Sequence, residues 1–153
     1  MILRPLPAFA LVAAIVLALP ASAQTVRLEE GACKRVAAPG QNFPGPYYVL
    51  FDTGKSAVKP EFKPEMRKAA RDAKNFHVTR ICVIGTTDKV GNAAYNKKLS
   101  RDRAYAVARE LMAEGVKAQH LLLDYTGEPY GQWSFGAREK QEQDRRVVVL
   151  LAK

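Results

Sequence analysis

Four runs of β-branched, aromatic and aliphatic residues, separated by two stretches of helical spacing, restrict this chain more than any other feature. The run YYVLFD, Tyr47 to Asp52, is stopped by Thr53-Gly54 and predicts a first strand. Phe62, Met66, Ala69, Ala73 and Phe76 then recur at spacings of four, three, four and three. That is the period of one apolar stripe on a helix, and Pro60 or Pro64 fits its first turn, where no backbone donor is lost. VTRICVIG, Val78 to Gly85, predicts a second strand. Ala104, Val107, Ala108, Leu111 and Met112 share a face of a second helix, with Gly115 as its C-cap. Leu121 to Tyr125 and Val147 to Leu151 predict the last two strands, and between them a polar connection at 127–145 carries Trp133 and Phe135. The order βαβαββ places the chain in the α/β class, as an α+β two-layer sandwich. Its helices should pack on a mixed parallel and antiparallel sheet, with right-handed crossovers for the parallel pairs.

The N-terminus follows a different logic. MILRPLPAFALVAAIVLALPASAQ carries one early cation, Arg4, then an apolar run from about Ala8 to Leu19, and ends in Ala21-Ser22-Ala23. This predicts a secretory signal peptide at 1–23, cleaved before Gln24. The run is shorter than the ~20 apolar residues of a membrane span, and no cysteine follows it to take a lipid. Residues 24–46 hold Gly40, Pro44, Gly45 and Pro46 with little periodicity, and read as an N-terminal extension leading into one domain at 47–153. Loss of the leader removes Arg4, so Lys plus Arg falls from 24 to 23 against 15 acids, a net +8. For an exported protein that charge favours an anionic envelope component, wall-peptide carboxylates or lipid head groups, over nucleic acid. A basic surface that only confers solubility is the plainer alternative.

Cys33 and Cys82 form an even pair. An oxidising compartment favours one disulfide between them, and a buried free thiol at Cys82 is the alternative. The chain has no CxxC and no Cys/His cluster, so neither a zinc site nor any other cofactor is expected. Catalysis is not expected either. The two histidines, His77 and His120, stand near no G-x-S-x-G elbow. The acids are interleaved with Lys and Arg, the pattern of a solvated surface and not of a glycosidase carboxylate pair.

TTDKVGNAAYNKKLSRDRA, residues 86 to 104, is the candidate site. Asp88 follows the second strand, and the C-terminal ends of parallel strands are where such sheets take ligands. Gly91 permits a tight turn, and Asn96 and Ser100 can cap or bridge short helical turns before the longer helix. Arg103 lies roughly 90° from the centre of the apolar stripe, at an edge from which its guanidinium can reach the loop of Asp88. An acid and an arginine at one concave site suit a zwitterion, the ammonium on Asp88 and the carboxylate on Arg103. A simple surface ion pair between the two is the alternative.

FDTGKSAVKPEFKPEM, ICVIGTTDKVGNAAYNKKLSRDRAYAVARELMAEGV and QDRRVVVLL, in this order, resemble the OmpA-like C-terminal domain over roughly residues 47 to 151. The most specific part is T-D-x-x-G followed by Y-N-x-x-L-S-x-x-R-A. The resemblance implies a non-catalytic peptidoglycan binder of the Gram-negative periplasm, associated with the cell outer membrane or wall. Its ligand would be the diaminopimelate of the stem peptide. By position, the resemblance implies that Asp88 takes the ammonium and Arg103 the carboxylate, while Thr87 shapes the loop. Asn96, Leu99 and Ser100 would line the helical side, and Asp52 and Arg145 further pocket positions. The chain departs from the family pattern in three places. Thr86 stands where His or Tyr is usual, Asp144 where Asn precedes the paired arginines, and DYTGEPYG replaces a G-Y-G-E-like turn. Thr86 and Asp144 are both expected beside the pocket. The alternative function is a periplasmic protein–protein interaction or assembly module of the same fold without wall binding. If the domain links the wall to an envelope protein partner, the extension at 24–46 and the loop of Trp133 and Phe135 are the candidate surfaces, and a hydrophobic lid over the sheet edge is the plainer role for those two aromatics.

Overall fold

The structure, a computed structural model, describes residues 26–35, 43–87, 91–127 and 144–152. The expected leader, Asp88, and Trp133 and Phe135 in their connection lie outside the described residues. In chain order the elements are β1 (Arg27–Leu28), β2 (Tyr47–Leu50), α1 (Lys63–Asn75), β3 (Arg80–Thr86), α2 (Ala93–Ala113), β4 (Leu121–Gly127) and β5 (Arg146–Ala152). The five strands form one sheet in the order β1-β4-β3-β5-β2. β4 is parallel to both β1 and β3, whereas β5 is antiparallel to both β3 and β2. Both helices and the four expected strands are present, on the expected mixed sheet. β1 is additional. It has only two residues, too few to show any alternation.

The sheet is covered on both faces, which is why its central strands read as nearly unbroken apolar runs. Ile81 and Val83 of β3 face the helices, in one core with Val49, Leu123, Val147, Val149 and the helical residues Met66, Ala69, Val107 and Leu111. Cys82 and Ile84 face the other way and pack with Val148 and Cys33. Cys33 belongs to a short 3-10 turn, Ala32–Arg35, and is joined to Cys82 by a disulfide with a Cα–Cα distance of 5.8 Å. Of the two sequence alternatives, the bonded one holds. Asp124, fully buried on β4, secures the same turn by accepting the backbone amides of Gly31 at 2.7 Å and Cys33 at 3.0 Å. Part of the N-terminal extension is thus the back cover of the domain.

Both helices end in the same way. His77 N–H donates to Lys74 O and Val78 N–H to Ala73 O, at 3.2 and 2.9 Å. Gly115 N–H donates to Met112 O and Val116 N–H to Leu111 O, both at 3.0 Å. This is the Schellman pattern, whose pivot residue adopts a left-handed conformation. Gly115 has φ 93° and His77 φ 49°. Phe76, assigned to the α1 stripe by its spacing, is instead exposed, because the chain has already left the helix and turned at that point.

Tyr47, at the start of β2, is 1% exposed and donates its hydroxyl to Asp72 Oδ2 at 2.7 Å. Burial, and then Asp72, push its phenol well above the ordinary tyrosine value. The sign of the pH effect follows. Above pH ~10 the unfolded chain releases this proton while the folded chain keeps it, so folding stability falls as pH rises. Below that pH the contribution is fully present. Urea midpoints between pH 8 and 11 should therefore decline more steeply for the wild type than for Tyr47→Phe. Parallel declines would remove Tyr47 as the cause.

Candidate functional site

The buried face of α2 changes character along its length. Asn96, Ser100 and Arg103 are buried in its first half, and Ala104, Val107, Ala108 and Leu111 in its second. One stripe at helical spacing thus begins polar and ends apolar. The apolar half packs on the sheet, while the polar half lies over the strand ends. Asn92 caps the helix, its Oδ1 accepting the amides of Ala94 at 2.8 Å and Tyr95 at 3.1 Å. Asn96 and Ser100, expected to cap or bridge short turns, are interior residues of one long helix. The Ser100 hydroxyl donates back to Lys97 O at 2.8 Å. Gly85 is what lets α2 lie this close. A Cβ there would overlap the Ser100 carbonyl oxygen and stand 2.9 Å from its carbon.

Arg103 does not flank the core; it is inside it, at 0% exposure. Its Nε donates to Lys55 O at 2.9 Å, one terminal nitrogen to Thr86 O at 3.0 Å, and the other to Asp52 O at 3.1 Å. The guanidinium sits 5.1 Å from the centre of the Phe51 ring, within the range of a cation–π contact. It therefore ties the loop after β2 to the last residue of β3. Thr86 closes the third side. Its hydroxyl lies 2.7 Å from Asp144 O and 3.0 Å from Arg146 O, across on the entry to β5. Phe51 N–H donates to Arg145 O at 2.8 Å, and Arg145 Nε donates to Phe51 O at 3.4 Å.

These three chain segments and the start of α2 enclose a cavity of about 210 Å³. Thr53 and Gly54 line it from β2's loop, Thr87 and Gly91 from β3's loop, Tyr95, Asn96, Leu99 and Arg103 from α2, and Arg145 from β5. Of the eight residues the family pattern implied, five stand around this space: Thr87, Asn96, Leu99, Arg103 and Arg145. Ser100 and Asp52 are not among its lining residues. Ser100 is turned along the helix, and the exposed Asp52 carboxylate pairs with Lys59 at 3.3 Å. Lys59 is held above the ordinary lysine value by Glu61 first and Asp52 second. Asp88 is outside the described residues. Two arginines and no acid are among the described lining residues, an arrangement suited to a carboxylate.

The expectation that Thr86 and Asp144 border this space is corrected. Thr86 is 1% exposed, with its hydroxyl spent on the β5 entry. Asp144 is 2% exposed, and neither residue lines the cavity. Next to them, burial lowers the Arg146 pKa, against the opposing influence of Tyr48 and Asp144. Tyr95, Thr53 and Gly54 line the cavity without having been expected there from the sequence. Tyr95 opens the Y-N-x-x-L-S run, and its 54% exposure, unusual for so large an aromatic, marks it as a rim residue.

No helix among the described residues is long and apolar enough to cross a membrane. Outer membrane protein A of Bordetella avium is 31% identical over 103 residues, covering 67% of this chain and 53% of that one. The probable lipoprotein YiaD of Escherichia coli K12 is 32% identical over 107 residues, covering 70% and 49%. The chain spans about half the length of these curated relatives. Among solved structures, the OmpA-like domain of FopA1 from Francisella tularensis superposes with a TM-score of 0.60 at 20% identity, covering 69% of this chain and 70% of that one. The peptidoglycan-associated lipoprotein from Burkholderia pseudomallei gives a TM-score of 0.54 at 26% identity, covering 69% and 88%. The fold is shared with these structures. The family match runs over residues 50–145, from the end of β2 through the cavity to the entry of β5, and by it the chain belongs to the OmpA family.

Proposed function

We propose that this chain is a non-catalytic peptidoglycan-binding module of the periplasm, holding the wall through the diaminopimelate of the stem peptide. The observation that carries this reading is the convergence of Thr87, Asn96, Leu99, Arg103 and Arg145 on one cavity at the strand ends. Arg103 and Arg145 would take the ligand carboxylate, Asn96 would hydrogen-bond to it, Leu99 would pack against its methylenes, and Asp88 would receive the ammonium. Charge-assisted bonds contribute ~1.5 to 3 kcal/mol each. A few of them support micromolar to millimolar binding, about −4 to −8 kcal/mol. That suffices on a polymer that repeats the same group many times.

The test is co-sedimentation with purified sacculi. The wild type should pellet, and should still do so at ionic strengths that screen its net positive charge. Asp88→Ala and Arg145→Ala should each weaken pelleting about tenfold while circular dichroism is unchanged. A wild type that stays in the supernatant at low salt refutes wall binding. It would leave the interaction or assembly module, a reading favoured by the engagement of Arg103 with three backbone carbonyls.

A further inference from the structure

A second and larger concavity, about 430 Å³, lies at the opposite end of the sheet, ahead of the N-termini of β3 and β4. Its floor is apolar, with Ala73, Val78 and Ile81 buried and Val116 half-buried. Its rim carries Lys74, His77, Lys117 and His120. These are the only two histidines of the chain. Among the described residues the single acid on the lining is Glu114, and it faces Arg67 at 3.9 Å. A shallower concavity that shares Ala70, Lys74 and Glu114 extends the rim to Arg67 and Arg71. The volume is within the range of preformed binding sites, roughly 300 to 1,000 Å³.

The two helix ends contribute to this groove in parallel. Val78 and Val116 are the residues that follow the pivot of each Schellman turn, and both supply floor. The pivots differ. α2 uses Gly115, the residue that takes φ 93° without cost, whereas α1 places His77 at φ 49°, where a side chain is disfavoured. A residue held in a disfavoured conformation points to a use for its side chain, and here the imidazole belongs to the rim.

We propose that this groove docks an acidic peptide segment of a protein partner. One apolar side chain of the segment covers the valine and isoleucine floor. Its flanking carboxylates pair with Lys74 and Lys117, and His77 hydrogen-bonds to its backbone or to a carboxylate. The groove is formed at the far end of β3 from the cavity described above, so the two sites are separate, and this inference does not rest on wall binding.

The probe is acetyl-Glu-Glu-Leu-Glu-Leu-Glu amide, titrated into the ¹⁵N-labelled protein after periplasmic export. Amide shifts should cluster at residues 70–81 and 114–120. The Lys74→Glu/Lys117→Glu pair should weaken binding about tenfold or more, and the Arg27→Glu/Arg109→Glu pair, of equal charge change elsewhere, should leave the clustered shifts in place. His77→Gly should raise Tm by about 2 to 5 °C yet weaken peptide binding about threefold, opposite movements that a purely structural residue does not give. Shifts spread over the whole basic surface overturn the proposal, as do none up to about 1 mM peptide or equal loss in the control pair. A higher Tm with unchanged affinity removes His77 from the docking rim. Displacement of the peptide from these residues by a wall muropeptide overturns its assignment to a protein partner.

Discussion

Arg103→Ala is expected to lower folding stability by about 4 to 5 kcal/mol, far more than loss of a ligand contact would. The side chain is wholly buried and donates to the carbonyls of Lys55, Thr86 and Asp52. Hydrogen bonds from a charged donor contribute ~1.5 to 3 kcal/mol each, and a buried carbonyl left without a partner costs about 1 to 3. Relief of the guanidinium's own desolvation offsets part of that sum, which is why the expected loss is smaller than three full bonds. Arg103→Lys should recover about half, since an ammonium keeps the charge but not the planar fork that meets three separately placed carbonyls. Urea denaturation with an unchanged m-value measures both. A loss under about 1 kcal/mol in the alanine variant would show that these carbonyls are satisfied without the arginine. It follows that Arg103→Ala alone is a poor assay of binding, and that Asp88 and Arg145 are the sharper probes.

Removing the disulfide is expected to cost about 4 kcal/mol. Cys33 and Cys82 are 49 residues apart, and closing a loop of that length in the unfolded chain corresponds to roughly that value in the chain-entropy treatment. A native-state effect adds to it. Without the bond, the turn at Ala32–Arg35 keeps Asp124's hydrogen bonds to Gly31 and Cys33 and its packing on Ile84 and Val148, but loses its covalent tie to β3. Cys33→Ser/Cys82→Ser should therefore shift the urea midpoint downward and bind a hydrophobic dye through the uncovered back face. Reductant should reproduce this in the wild type and do nothing to the double variant. A midpoint change under about 1 kcal/mol would mean that the turn is held without the bond.

The strands and helices were legible because β3 and β5 are apolar on both faces and both helices carry a stripe at regular spacing. What escaped had physical reasons. The start of α2 reads as short turns before the longer helix because the first half of its buried face is Asn96, Ser100 and Arg103. Polar residues at helical spacing read as surface until the strand ends beneath them are known. Asn92 rather than Asn96 is the cap, a choice between two asparagines four positions apart that local sequence does not make. Thr86 and Asp144 lie next to site residues in the chain, but both are buried, and the Thr86 hydroxyl is turned to the carbonyls of Asp144 and Arg146. The motif spacing brought five of the eight implied residues to one cavity, whereas the role of Arg103 as a tie between strand ends had no sequence mark.

The central position of β3 has a mechanical consequence. Its seven residues are hydrogen-bonded on one side to β4 and on the other to β5. The cavity opens at its C-terminal end and the histidine-rimmed groove at its N-terminal end. A load held at one end and pulled from the other runs along the strand axis, so the flanking hydrogen bonds bear it together in shear instead of parting one by one. The Cys33–Cys82 bond, attached at the third residue of that strand, adds a covalent tie partway along the path of the force.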